Sequence, residues 1–363
     1  MSTAASTPDV PPLHWARSVA GFLQRGGLLT ALIVLSAGFA IANPRFLSQA
    51  NVSAILVSVA IVGIVALPGA MLLVSGYVDF SVGSNAVLAA VIFGVLAGKH
   101  VMPVFVALFV ALGVGVTWGA LAGWMICKLN MSAIIVTLGG YAGLRGLAEL
   151  ISEGQTEFGF GSAFGQLGNA VVLGIAAPVW ILLFLVLVAF YCWYLTPLGR
   201  HVTAIGAEPV AAHALGIKTR RIPLGLYIAS GLLAALGGLL LVSQLDASSL
   251  SIGLGLEIKV LTAILLGGVA FSGGRGSLVG VLLGVLFIGV LANGLVVINV
   301  SPFMTNVAIG VALMFAAAVD SLPLKSGLIT RVIRRRSLPG HAMTASTTPD
   351  STPMVGATSN RSK

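Results

Sequence analysis

Charge is what this chain has least of. Only 8% of its 363 residues are Asp, Glu, Lys or Arg, and ten are acidic. Soluble domains carry about a quarter charged residues, so a water-facing globular surface cannot be made from this composition. Cysteine is scarcer still. Cys127 and Cys192 stand far apart at the ends of apolar runs, which excludes a disulfide scaffold and reads them as small buried hydrophobes. No His/Cys cluster has the spacing of metal ligands. Short alternating strands are also missing, which excludes a transmembrane β-barrel.

What is present is oil. Hydrophobic residues make up 58% of the chain, its mean hydropathy is +1.07, and apolar runs of about 17 to 25 residues recur, each long enough to cross a bilayer. The expected fold is all-α, a polytopic transmembrane bundle of about ten spans. They fall near 27–43, 52–74, 82–98, 102–126, 132–150, 178–195, 222–243, 257–272, 277–298 and 302–320. Residues 1–25 form a polar N-terminal segment and 26–325 the membrane domain. Residues 326–363 turn basic and then Ser/Thr/Pro-rich, with too few apolar residues to fold. Ala40-Ile-Ala42 imitates a signal-peptidase site, but the polar head is long for a signal peptide, so the first span is expected to be an uncleaved anchor.

Charge sets the orientation. With both termini cytoplasmic, the inner segments hold Arg17, Arg25, Lys128, Arg200, Lys218, Arg220, Arg221, Arg275, Lys325, Arg331 and Arg334 to Arg336. The outer loops then hold little beyond Arg45 and Lys99, as the positive-inside rule requires. An internal inverted repeat is hinted at twice. Gly115, Gly119 and Gly123 in the fourth span match Gly276, Gly280 and Gly284 in the ninth, and glycines four apart allow close helix packing. Phe80-Ser-Val-Gly83 before the third span echoes Leu250-Ser-Ile-Gly253 before the eighth, and an offset of five spans reverses orientation.

No energy source is visible. Gly98-Lys99 is followed by His100 and preceded five places earlier by Phe93, so it is not a phosphate-cradling loop. Few carboxylates lie deep in the spans, whereas a proton-coupled carrier usually needs interior carboxylates or histidines, so no proton or sodium relay is visible. Either the chain is a passive facilitator, or a second subunit supplies energy. The inner loop favours the latter. Glu208-Pro-Val-Ala-Ala-His-Ala-Leu-Gly216 has Pro209 suited to a helix start and Gly216 to its end. The short helix so predicted is marginal alone and fits a docking element for a cytoplasmic partner; a connecting helix is the plainer alternative.

That loop resembles the coupling loop of ABC-importer permeases of the ribose/xylose/galactose branch. Gly76-Tyr-Val-Asp-Phe-Ser-Val-Gly-Ser84 resembles the branch's G-G-I-D-L-S-V-G-S. Ile135-Val-Thr-Leu-Gly139 with Leu144-Arg-Gly-Leu147 is similar to its fifth-span signature. Glu257, Gly267-Gly268 and Ser272-Gly-Gly-Arg-Gly-Ser277 resemble its E…GG…SGGRGS block, and the last span ends at Asp320. The resemblance covers about residues 25–325. It departs at Glu208, Val210 and His213 in the loop, and at Tyr77 and Lys259 nearer the presumed pathway.

The resemblance implies a non-enzymatic permease translocating a monosaccharide or similar polyol across a bacterial inner membrane by alternating access. It implies a second permease copy (a homodimer), a cytoplasmic ATP-binding subunit that carries ATP and Mg, and an extracytoplasmic substrate-binding protein; this chain would bind no cofactor, metal or nucleic acid. The coupling residues would be Glu208, Pro209, Ala211, Ala212, His213 and Gly216. Asp79, with Ser81, Ser84 and Glu257, either lines the pathway or serves helix capping, and Arg275 is an orientation anchor or a cytoplasmic contact. Glu257 and Lys259, two apart, do not face each other on a helix, whereas Arg145 and Glu149, four apart, can pair. The rival readings are a permease for branched-chain amino acids or nucleosides, and a self-contained facilitator or secondary carrier.

Overall fold

The structure is a computed structural model and describes residues 27–99 and 101–321, with backbone alone for 319–321. The N-terminal segment with Arg17 and Arg25, His100, Lys325, Arg331, Arg334 to Arg336 and the rest of the tail lie outside the described residues.

Thirteen helices are described: α1 Leu28–Ala42, α2 Gln49–Val74, α3 Val82–Gly98, α4 Val104–Leu129, α5 Ala133–Ser152, α6 Ser162–Asn169, α7 Ala177–Phe190, α8 Pro197–Ala207, α9 Pro209–Ala214, α10 Arg221–Leu245, α11 Leu256–Leu266, α12 Leu278–Val297 and α13 Pro302–Ser321. A π-turn, Tyr191–Leu195, extends α7. Six helices are long and apolar enough to cross a membrane: α2, α4, α5, α7 with its π-turn, α10 and α12. α1, α3 and α13 are shorter apolar helices. Among the described residues sheet is limited to β1 (Glu157–Phe158) paired antiparallel with β4 (Ala247–Ser248), and a β2 (Val171–Val172) and β3 (Ile175–Ala176) hairpin.

One expectation needs correction. The eighth span does not run to residue 272. Gly268 (φ 83°) turns the chain, its N–H reaching the Leu265 carbonyl and that of Val269 the Ile264 carbonyl. α11 is therefore an 11-residue helix, roughly 16 Å long at 1.5 Å per residue, too short to cross alone. The irregular stretch before it lies along α3: the Ser248 hydroxyl donates to the Ala90 carbonyl, and Gly253 meets Gly83. Non-helical backbone at membrane depth is tolerated when buried in protein in this way. α2 continues through Pro68, which is buried inside the helix.

α2 and α3 occupy the centre, and α4, α5 and α7 present most of their apolar side chains outward. The glycine stripes act as close-approach surfaces. Gly115, Gly119 and Gly123 of α4 meet the backbone of α10 at Gly231, Tyr227 and Leu224; Gly280 and Gly284 of α12 meet α11 at Gly267 and Ala263. At several of these contacts a β-carbon would overlap a backbone carbonyl, so the helix spacing requires glycine.

Candidate functional site

The loop from Ser75 to Ser81, between α2 and α3, holds Asp79. α2 ends in a left-handed Gly76 (φ 83°), with the Tyr77 N–H returning to the Leu72 carbonyl at 2.9 Å. Asp79 then sits two residues before Ser81, the residue preceding α3. Its Oδ1 accepts the Ser81 N–H at 3.0 Å and the Ser81 hydroxyl at 2.6 Å, while Oδ2 accepts the Ser230 hydroxyl of α10 at 2.8 Å. The Trp118 indole N–H of α4 donates to Ser81 Oγ at 2.8 Å, and the Tyr227 hydroxyl donates to the Val78 carbonyl at 2.9 Å. Tyr77, where the branch commonly has glycine, packs edge-on against Tyr227 with ring centroids 6.3 Å apart. Two helices, α4 and α10, thus hold this loop through donors that converge on it.

Asp79 combines a turn-forming contact to the chain entering α3 with a tertiary contact to α10. Ser81 and Ser84 are buried, and the Ser84 hydroxyl donates to the Tyr141 carbonyl at 2.7 Å, fixing α3 to α5. Asn85, on the next position, donates to the Gly231 carbonyl at 3.0 Å. Glu257, in the first turn of α11, lays its carboxylate against Gly83, where a β-carbon would overlap it. Asp79 and Glu257 line one cleft, walled by Gly69, Leu73, Val260 and Ile264. The structure therefore brings together two carboxylates that lie far apart in sequence. Lys259 is half-buried on α11. Arg145 approaches Glu149 at 3.8 Å and donates to the Leu250 carbonyl at 3.2 Å, tying α5 to the stretch before α11.

The second group of candidates forms an arm. α8 begins at Pro197 with the Thr196 hydroxyl accepting the Leu198 N–H. Glu208, extended, separates it from α9, and its side chain makes no capping bond. α9 is six residues long and closes as a Schellman motif: the Gly216 N–H (φ 79°) reaches the His213 carbonyl at 2.9 Å and that of Ile217 the Ala212 carbonyl at 3.1 Å. Glu208, Pro209, Ala211 and His213 are exposed, as are the apolar side chains of Val210 (77%) and Leu215 (80%). Ala212 is 2% exposed. It packs against its own chain, while the neighbouring Val210 and Leu215 face outward.

Arm and loop meet at a glycine junction. Gly206, near the end of α8, sits against the Val74 carbonyl and 2.5 Å (measured from a β-carbon built there) from the Gly274 nitrogen. The Gly274 N–H donates to that same Val74 carbonyl at 2.7 Å. Gly273 (φ 81°) packs on Gly76 and the Gly206 carbonyl, and Gly274 on Ala207. Arg275, next in the chain, is exposed, and its carbonyl accepts the Ala270 N–H. The SGGRGS segment thus ties the arm to the backbone that leads into the Asp79 loop. Sequence reasoning missed Trp118, Tyr227 and Ser230. The last two, three apart and polar in an apolar run, were the available signal. Among the described residues no group of three or more His, Cys, Asp or Glu side chains is placed to hold a metal ion.

The comparisons agree with one another. A family model described as branched-chain amino acid transport system / permease component matches residues 51–317. The ribose import permease protein of Bacillus subtilis is 33% identical over 302 residues, covering 83% of this chain and 94% of that protein. The galactose/methyl galactoside import permease protein of Escherichia coli is 32% identical over 324 residues, covering 84% and 96%. The L-arabinose ABC transporter permease protein of Azospirillum brasilense is 30% identical over 317 residues, covering 86% and 93%. No solved structure matches the chain. With apolar helices of spanning length and a family model matched over most of its residues, this multi-pass chain belongs to the branched-chain amino acid transport system / permease component family.

Proposed function

We propose that the chain is the membrane-spanning permease of an ATP-driven importer for a monosaccharide or similar polyol, resident in a bacterial inner membrane. What carries the reading is that relatives named for ribose, galactose and arabinose import align over more than nine-tenths of their own length. On this reading the chain is a transport subunit and works as a homodimer. ATP and Mg belong to a separate cytoplasmic ATPase, and an extracytoplasmic binding protein delivers solute. Residues 26–325 are the permease domain, flanked by the 1–25 segment and the 326–363 tail, both cytoplasmic. Ten spans are counted by adding α1, α3, α11 with its irregular lead-in, and α13 to the six long helices.

The inverted repeat gains support from which helices touch. α3, α4 and α5 pack on one another in the same pairings as α11, α12 and α13, and α10 packs on α3 and α4 as α2 does on α11 and α12. The echoed motifs also face each other reciprocally. A β-carbon at Gly83 would lie 3.3 Å from the Gly253 carbonyl, and one at Gly253 3.4 Å from the Gly83 carbonyl. Such mutual contact is what a pseudo-two-fold axis produces.

In this mechanism ATPase closure pulls α9 through Val210 and Leu215. The glycine junction passes the displacement to the Asp79 loop, and Asp79 and Glu257, on the cleft between α2, α3 and α11, offer acceptors to solute hydroxyls. The test is reconstitution with and without the ATPase and the binding protein, with pentose, hexose and leucine as labelled solutes. ATP-dependent sugar uptake requiring all components is expected. Leucine uptake favours the amino-acid alternative in the family's description, and uptake by the permease alone refutes the reading.

A further inference from the structure

The β2–β3 hairpin precedes α7 and is unlike the rest of the non-helical chain at that end. Its strands pair Val172 with Ile175, leaving Leu173 and Gly174 as a two-residue turn with φ of 53° and 78°. Positive φ at both positions defines a type I′ turn, which selects Asn-Gly or Asp-Gly. A leucine there is held where L-residues with branched side chains are disfavoured. It is also 86% exposed, and Val171 (65%) and Val172 are exposed beside it. If the turn were merely a connection in water, asparagine would suit both the backbone and the solvent. This tip carries apolar surface at a conformational cost.

Three observations identify what covers it. From Phe158 to Gly199 the sequence contains no charged residue, so this segment supplies none of the charged rim that surrounds a protein-docking patch. The hairpin leads directly into α7, whose own outward side chains, Phe184 and Leu187 among them, are apolar and exposed. The Trp180 indole N–H, one turn into α7, donates to the Val172 carbonyl at 3.1 Å, and Trp with one wet end and one apolar face belongs at the headgroup level of a bilayer.

We propose that the Val171–Ala176 hairpin is a lipid-binding element: its Val-Val-Leu tip inserts into the bilayer interface beside α7, with Trp180 as the interfacial anchor. The insertion fixes the depth of α7 and holds the outer loop against the membrane. It does not depend on the solute or on the energy source.

The full chain, with Cys127→Ala and Cys192→Ala, carries an environment-sensitive NBD label at Leu173→Cys in phosphatidylcholine vesicles. Gln155→Cys, an exposed turn position, is the reference. Lipids bearing a nitroxide high on the acyl chain should quench the label at 173 at least threefold more than at 155, and aqueous iodide should show the reverse order. Equal iodide access at the two positions overturns the proposal. Shielding at 173 from both quenchers also overturns it, since that places protein, such as a second copy of this chain, over the tip. With the label moved to Val171→Cys, Leu173→Asn should abolish most lipid quenching without lowering thermal stability, because Asn-Gly suits the turn. Unchanged quenching there refutes the role given to Leu173.

Discussion

Replacing Gly206 by alanine isolates the glycine junction from the rest of the arm. A β-carbon at this position overlaps the Val74 carbonyl oxygen, and backbone atoms cannot turn aside as a flexible side chain can. To reach an ordinary carbon–oxygen approach the arm has to retreat from α2 by roughly 1 Å. That retreat pulls on the 2.7 Å bond from the Gly274 N–H to the Val74 carbonyl, and stretching it past 3.5 Å ends it as a hydrogen bond. Leaving buried backbone groups unpaired costs about 1–3 kcal/mol, against a total stability on the order of 5–15 kcal/mol. The variant should therefore fold and insert, with a lowered melting temperature and a displaced arm.

Its defect should be in coupling. With the ATPase and binding protein present, hydrolysis should continue while uptake falls to below roughly a tenth of wild type, the effect of about 1.4 kcal/mol on the transport step. The control is Gly225→Ala in α10, where nothing lies within 4 Å of the added carbon and alanine favours the helix by about 1 kcal/mol. It should transport normally. Wild-type uptake by Gly206→Ala refutes transmission through the junction. Loss of both hydrolysis and membrane insertion refutes the claim that the damage is local.

Asp79→Asn keeps an acceptor for the Ser81 N–H and lets the Ser230 hydroxyl turn to accept, so folding should be near wild type while uptake falls at least tenfold; normal uptake limits Asp79 to a structural role. Asp79→Ala strips three bonds and should destabilise by about 1–3 kcal/mol, read as a lower melting temperature in detergent. Val210→Asp and Leu215→Asp should each weaken ATPase binding in co-purification without destabilising the permease, whereas Ala212→Asp should destabilise the arm itself; the reverse order refutes the surface assigned to α9. Gly216→Val forces a β-branched residue to φ 79° and should uncouple uptake from hydrolysis, with normal uptake counting against the arm. Deleting residues 341–363 should leave uptake near wild type, and a large loss at normal expression assigns the tail a role.

The six long apolar helices were readable from the sequence because a long apolar run leaves few alternatives to a helix. Which helix is central was not. α2 and α4 have window hydropathies of 2.5 and 2.3, yet 78% of the first window is buried inside the chain and 22% of the second. Lipid is as apolar as a protein core, so the stripe that orients a helix in a soluble protein disappears. The burial of Ala212 was hidden for a different reason, since Ala211 and Ala214 stand beside it and nothing in so short an alanine-rich helix marks which one faces inward. Glycine was legible as a stripe and as a helix stop at Gly216. The stop at Gly267-Gly268 was missed because apolar residues continue to Phe271 and mask a turn set by backbone alone.

The Asp79 site shows what pattern reading can reach and where three dimensions take over. A carboxylate between two oily runs has to be solvated, paired or used, and the sequence posed that choice without resolving it. Among the described residues Asp79 forms no ion pair. Its carboxyl oxygens are instead met by two serine hydroxyls and one backbone N–H, reinforced by the Trp118 indole one bond further out. Each such bond contributes about 0.5–1.5 kcal/mol net. That makes the Ser75–Ser81 loop a rigid link bound to α3, α4 and α10 at once. A rigid link transmits displacement, whereas a solvated loop absorbs it. The arrangement that lets this chain keep a carboxylate at membrane depth therefore also fits the loop to carry motion from the arm at Gly206 to the cleft at Glu257.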